Sequence, residues 1–179
     1  MAQFQPTPTN LFISFSRHKL TTQYWPRLRQ CVESLTDEQI WWRPNSSSNS
    51  VGNLVLHLDG NVRQWLVSSF NQKEDQRDRP AEFAASGEMT GAALVEKLSW
   101  TITEAAHVLD RLTETELITR YEIQGYSPYG LEAVYQVIEH FGLHYGQIAY
   151  ITKMLKDQDL GFYKDLNKTG RASGQGIVG

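Results

Sequence analysis

Two histidines, His140 and His144, stand four residues apart in the stretch Ile138-Glu139-His140-Phe141-Gly142-Leu143-His144-Tyr145-Gly146-Gln147-Ile148, which is otherwise apolar with helical spacing. On an α-helix, positions i and i+4 are separated by about 40° around the axis and about 6 Å along it, so both imidazoles reach one shared metal ion. The same spacing also suits two ordinary helix histidines, one half-exposed and one hydrogen-bonded in the core. A third histidine, His57, lies in Val51-Gly52-Asn53-Leu54-Val55-Leu56-His57-Leu58-Asp59-Gly60-Asn61, at the edge of another apolar stripe. Three neutral imidazoles with one open coordination position suit Zn²⁺, Ni²⁺ or a related divalent ion. Such an ion lowers the pKa of a bound water or thiol and makes it a nucleophile near neutral pH.

The supporting residues narrow the chemistry. In the metalloprotease pattern a glutamate follows the first histidine as general base, whereas Phe141 occupies that place and Glu139 falls on another face, which argues against a peptidase of that type. Asn61, Tyr145 and Gln147 are the polar groups nearest the candidate ligands in sequence, suited to orienting an imidazole or to meeting a substrate. The single cysteine, Cys31, excludes an internal disulfide and a Cys-x-x-Cys site, and its place in an apolar helical pattern makes it a packing residue.

The elements that must carry these groups read as helices. Phe12, Phe15, Trp25, Leu28, Val32 and Leu35 recur at helical intervals from about Leu11 to Ser34, with Pro26 expected to bend or restart that first long helix. Thr36-Asp37-Glu38-Gln39 has the form of a capping box and starts a short helix carrying Trp41 and Trp42, which Pro44 and the polar run to Asn49 end. Of the two tryptophans, one is expected inward and the other at a helix end or pocket mouth. Ser50 caps a second long helix to about Phe70, and Thr90 caps a third to about Leu112, with His107 on its surface. Between them, Lys73 to Glu82 is nearly all charge and reads as a solvated loop. Arg77 and Arg79 belong to that solvated cluster, contact with an anionic substrate being their other use. Residues 113 to 126 read as a short extended crossing segment. Ser127-Pro128 then reads as N-cap and first-turn proline of a fourth long helix to Lys156, whose stripe includes His144 with His140 on its flank.

Four long apolar-striped helices without a repeat or a convincing sheet predict an all-α four-helix bundle with a short extra helix between the first and second long helices, one domain over residues 1–156. Residues 157–179 read as a polar, glycine-rich tail, its last ten residues loosely held. Uneven connections leave the helix order open between simple up-and-down and crossover arrangements. A net charge of −3 gives no basic field for nucleic acid or an anionic membrane. The chain lacks a secretory signal pattern and any apolar run of membrane-spanning length, so a reducing cytoplasm fits.

His57-Leu58-Asp59-Gly60-Asn61, Trp41-Trp42-Arg43-Pro44-Asn45 and His140-x-x-x-His144-Tyr145-Gly146-Gln147-Ile148 together resemble the DinB-like (YfiT-like) metal-binding four-helix bundles, over roughly residues 10 to 156. The resemblance places His57, His140 and His144 at the family's three metal-ligand positions. It implies a divalent metal, nickel or zinc, and a homodimer. Some relatives are thiol S-transferases that use bacillithiol, mycothiol or glutathione, and some resemble hydrolases. The implied reading is therefore a metal-dependent enzyme, either a transferase of a low-molecular-weight thiol or a small-molecule hydrolase. The alternative from another class is a non-catalytic, metal-stabilised bundle that binds a partner.

Overall fold

The computed structural model describes residues 6–164, and these form an all-α bundle. The first long helix, α1, runs from residue 8 to 33 without a break: Pro8–His18 is α-helical, Lys19–Tyr24 is a π-helical turn, and Trp25–Glu33 is α-helical again. The expected restart is present: the α-helix gives way to the π turn and resumes at Trp25, with Pro26 in its first turn. The wider π turn before it takes up the carbonyls that proline cannot serve, and the Trp25 N–H donates to the Leu20 carbonyl, five residues back. The expected capping box is present: Thr36 and Gln39 serve each other's backbone N–H and open the short helix α2, Asp37–Trp41. Trp41 packs inward over Gly52, where a Cβ would stand 2.8 Å from its ring, and its Nε1 donates to the Met89 carbonyl. Trp42 is partly exposed.

Ser50 caps α3, residues 51–70, formed by Val51–Val62, a second π turn at Arg63–Ser68 and one further half-turn. Gly91–Arg111, capped by Thr90, is α5, and Gly130–Lys156 is α7, which ends on Asp157 in the left-handed conformation. Two short helices complete the described chain, α4 at Arg79–Ala84 and α6 at Glu114–Leu117. No described helix is long and apolar enough to cross a membrane.

The long helices surround one core in the order α1, α5, α3, α7, so each packs on two neighbours. Side-chain pairs fix their directions. Arg17 meets Asp110 while Val32 lies near Gly91, so α1 and α5 are antiparallel. Thr101 donates to Asp59 and Arg111 to the Phe70 carbonyl, so α3 and α5 are parallel. Tyr24 stacks near Phe141 and Gln30 donates to the Leu160 carbonyl, so α1 and α7 also run together. The order is up, down, down, up, which settles what uneven link lengths left open. It also has a mechanical consequence: because α3 and α5 are parallel, residues 71–90 must run back along the whole of α3 before α5 can start.

That return strap is where the structure departs most from the sequence reading. Most of the run from Lys73 to Ala81 is exposed, as expected of a solvated loop, but the Arg77 and Glu82 side chains are buried, and 79–84 forms α4, which packs on α3. Two side chains pin the end of α4. Buried Asn53 donates from Nδ2 to the Glu82 and Ala85 carbonyls, each at 2.9 Å, and Arg43 donates to the Phe83 and Ala85 carbonyls at 3.1 and 3.2 Å.

Two smaller corrections concern residues 113–130. Thr113 and Glu116 form a capping box that opens α6, so the extended segment starts only at Thr119 and folds back as a narrow hairpin turning at Gln124-Gly125, both with positive φ. The N-cap of α7 is Tyr129 rather than Ser127, because the Pro128 carbonyl is drawn into that hairpin by the Tyr121 N–H, and Glu132 accepts from the Tyr129 N–H. Beyond α7, Leu160 is buried in the core, and Arg27 stacks on Phe162 and Tyr163, so residues 157–163 belong to the packed structure. The last ten residues lie outside those described.

Asn53→Ala removes the donor that holds the α4 carbonyls and strands buried acceptors, a loss of about 1–3 kcal/mol. We expect limited proteolysis to cut this variant within residues 71–90 well before the bundle unfolds, while the parent chain resists; equal cleavage rates would show that Asn53 does not hold the strap.

Candidate metal centre

Three imidazoles from two helices converge where α3 and α7 cross. His57 Nε2 lies 2.9 Å from His140 Nε2, and the His144 ring centroid is 5.0 Å from that of His57 and 4.4 Å from that of His140. One nitrogen from each ring can be chosen so that all three lie within 4.8 Å of one another. His57 is buried and the other two are half-buried. Antiparallel packing makes this possible, since the pair one turn apart on α7 straddles a single position on α3. Fully buried Phe141 anchors α7 between the two histidines, and Gly142 lets Tyr24 of α1 approach to 3.1 Å of where its Cβ would stand.

The far sides of two rings are already committed. His57 Nδ1 lies 2.9 Å from Glu82 Oε2 and 3.1 Å from Arg77 Nη2; the carboxylate only accepts and is the nearer partner, and Arg77 Nη2 has Glu82 Oε2 at 2.9 Å for its own hydrogen, so the proton is assigned to Nδ1 and the Nε2 lone pair faces the other histidines. His144 Nδ1 likewise donates to Gln147 Oε1 at 2.7 Å, leaving its Nε2 free. A carboxylate or amide on the outer nitrogen is the usual support for a metal-ligating histidine, fixing tautomer and ring orientation and raising basicity. Burial, reinforced by the neighbouring His144 and His57, holds His140 neutral by pushing its pKa down to about 3. Burial also lowers His144, against the opposing bond to Gln147. Three imidazoles whose candidate nitrogens lie within 4.8 Å of one another are the donor set a borderline divalent ion takes once the proton shared between His57 Nε2 and His140 Nε2 is given up. The residues present therefore fit such an ion.

Glu82 is itself held. Arg77 donates from Nε to Glu82 Oε1 at 2.7 Å and from Nη2 to Oε2 at 2.9 Å, and its Nη1 donates to Gln64. Gln64 in turn donates to Asp75. Burial alone would raise the Glu82 pKa, and the hydrogen bonds from His57 and Arg77 outweigh it and leave the carboxyl below its ordinary value. The pair lies across α3 in a gap left by a missing side chain: a Cβ on Gly60 would stand 2.0 Å from Glu82 Oε1 and 2.8 Å from Arg77 Nε. Phe83 closes the site from the strap side, its ring 4.8 Å from that of His57.

Of the residues singled out as possible supports, Gln147 holds His144. Tyr145 faces α1, stacking near Tyr24 and Phe162, and burial raises its hydroxyl to about 12. Asn61 is buried one turn beyond His57, its Oδ1 without a hydrogen-bond partner. Glu82, Arg77 and Gln64 are the supports that sequence reasoning missed, and Gly60 beside His57 was the available signal.

The match to known proteins is now decisive. A family model described as a protein of unknown function, DUF1572, matches residues 9–164. The chain belongs to the DUF1572 family. Its fold is shared by solved structures of low sequence similarity. One is a conserved protein from Enterococcus faecalis, with TM-score 0.69 and 16% identity, covering 81% of this chain and 97% of that one. Another is a DinB-like protein from Bacillus cereus, with TM-score 0.60 and 14% identity, covering 74% of this chain and 86% of that one. No curated protein matches the chain. The DinB-like assignment and the helical bundle expected from sequence both hold, and this DUF1572 chain brings His57, His140 and His144 together as the spacing required.

Gly60→Ala places a methyl group where the Arg77–Glu82 pair sits, and such overpacking costs about 1–3 kcal/mol. The tautomer should change as well, because displaced Glu82 no longer accepts from His57 Nδ1. Nitrogen-15 NMR of the imidazoles is expected to show His57 protonated at Nδ1 in the parent and a tautomer mixture in the variant. An unchanged spectrum would mean that Glu82 does not set the ring.

Proposed function

We propose that this protein is a divalent-metal enzyme in which His57, His140 and His144 hold zinc or nickel, and that it transfers a low-molecular-weight thiol to a small electrophile. The observation that carries the reading is the commitment of the outer nitrogens of His57 and His144 to Glu82 and Gln147, which turns the remaining lone pairs toward one point. A divalent ion there keeps its full charge, since no carboxylate is in the donor set, and lowers the pKa of a thiol or water at an open position.

Thiol transfer is favoured over hydrolysis by what surrounds the histidines. A general base would assist an attacking water, and the carboxylate touching the trio, Glu82, is paired with Arg77 and occupied by His57. A thiol ionises several orders of magnitude more readily than water and needs no base. Its proton passes to solvent, the sulfur forms a bond to the electrophilic carbon, and the departing group leaves with the bonding electrons. A groove of about 600 Å³ lined by Gln147, Leu143, Tyr150, Met154, Leu54 and Pro44 lies on the outer side of His144, and none of the three histidines lines it. The larger cavity, about 680 Å³ around Trp100, lies between α1 and α5, away from the histidines, and has no part in this reading.

Each of His57→Ala, His140→Ala and His144→Ala is expected to lose most bound metal by elemental analysis of protein purified without an affinity tag. Each should also lose the stabilisation that added metal gives the parent, by the linkage of binding to folding. His18→Ala and His107→Ala should keep both. Full occupancy in His57→Ala with loss in His140→Ala would show a site built without α3.

The same reading includes a homodimer. Trp100 on α5 and Tyr135 and Tyr150 on α7 are exposed, and pairing of two copies would bury one of these faces. Light scattering at micromolar concentration should report twice 20.5 kDa; a monomeric mass there would remove the dimer.

A further inference from the structure

Two arginines sit on the return strap, and their circumstances are opposite. Arg77 is buried with its guanidinium fully occupied by Glu82 and Gln64. Arg79 is exposed, and among the described residues it has no carboxylate within ion-pair distance; its guanidinium carbon lies 5.0 Å from the centroid of the Phe83 ring. Phe83 in turn packs 4.8 Å from His57, so the guanidinium stands within about 10 Å of that imidazole. Stacking holds it in place without using its hydrogen-bond donors, an arrangement that leaves the planar fork presented to a ligand.

Charge supplies the second half of the argument. The candidate ligands are imidazoles without a carboxylate among them, and the carboxylate bonded to them, Glu82, is paired with Arg77, with Glu139 the further acid acting on His144. With a divalent ion in place the centre has a net positive charge, to which Arg79 adds one more at the rim. A neutral substrate leaves that field uncompensated, whereas an anionic one is drawn in and held.

We propose that Arg79 anchors the carboxylate of an anionic small-molecule thiol whose sulfur is directed to the three-histidine centre. This deepens the thiol-transfer reading and rests on it. A carboxylate is the group that matches one free guanidinium, two parallel N–H···O bonds meeting one negative charge. The distance suits a thiol and carboxylate separated by a few bonds.

The test uses the full chain loaded with Co²⁺, whose absorption reports the ion directly, and two probes that differ in the anionic group, 3-mercaptopropionate and 2-mercaptoethanol. Sulfur-to-cobalt charge-transfer absorption gives a Kd for each. In the parent, 3-mercaptopropionate should bind about tenfold to a hundredfold more tightly, the range of one charge-assisted contact. Arg79→Gln, an exposed substitution, should bring the ratio close to one by weakening 3-mercaptopropionate alone, and Arg79→Lys should restore part of it. A ratio near one in the parent, or one unchanged in Arg79→Gln, overturns the anchor while leaving the centre intact. Absence of cobalt bands from the parent overturns the metal reading itself, and cobalt bands with no charge transfer from either thiol overturn the thiol reading together with the anchor.

Discussion

The parallel course of α3 and α5 is the constraint on which the rest of this structure depends. Two parallel neighbours cannot be joined by a tight turn, so residues 71–90 return along the outside of α3 and must be held there. The holding groups are polar: Asn53 and Arg43 at one end, Gln64 and Arg77 at the other, with Glu82 between them on His57. The connection that topology demands thus becomes the wall of the candidate metal centre.

Burying Arg77 and Glu82 carries a large desolvation cost, several kcal/mol per ion in a protein interior. It is offset here by geometry, since both carboxylate oxygens accept from the guanidinium and a third guanidinium nitrogen reaches Gln64. Removing one partner leaves the other buried and uncompensated, which costs about 3–5 kcal/mol in comparable pairs. The pair is therefore weak as a source of stability and strong as a device for fixing one tautomer of one histidine. Gly60 is what allows it to approach, and that requirement links the sequence of α3 to the chemistry of the strap.

The sequence was legible where burial and periodicity coincide. Apolar stripes located all four long helices, Ser50 and Thr90 marked the starts of two of them and Thr36 that of the short α2 through ordinary capping chemistry, and the His140/His144 spacing together with His57 identified the three imidazoles that meet. Legibility ended where charge is buried. A run such as Lys73 to Glu82 looks solvated because composition records the charges and not their partners, and the partners of Arg77 and Glu82 lie on α3. Helix direction was equally hidden, because it depends on which face each stripe chooses against the others. At Pro26 the missing donor was legible, while the form of the interruption, a π turn directly before it, was not. At Ser127-Pro128 a good local start signal lost to the hairpin that captured the Pro128 carbonyl.

The placement of Glu82 on a connection, and not on one of the four packed helices, separates two kinds of change that are entangled in most buried sites. Substitutions or insertions in the strap can alter how strongly His57 is polarised, or what stands at the rim, without repacking the bundle interior. Substitutions in the helices away from Asn53, His57, Gly60 and Gln64 can adjust packing without touching the carboxylate. Descent with modification can therefore vary reactivity and architecture on independent schedules, the strap serving as the adjustable part of an otherwise conservative frame.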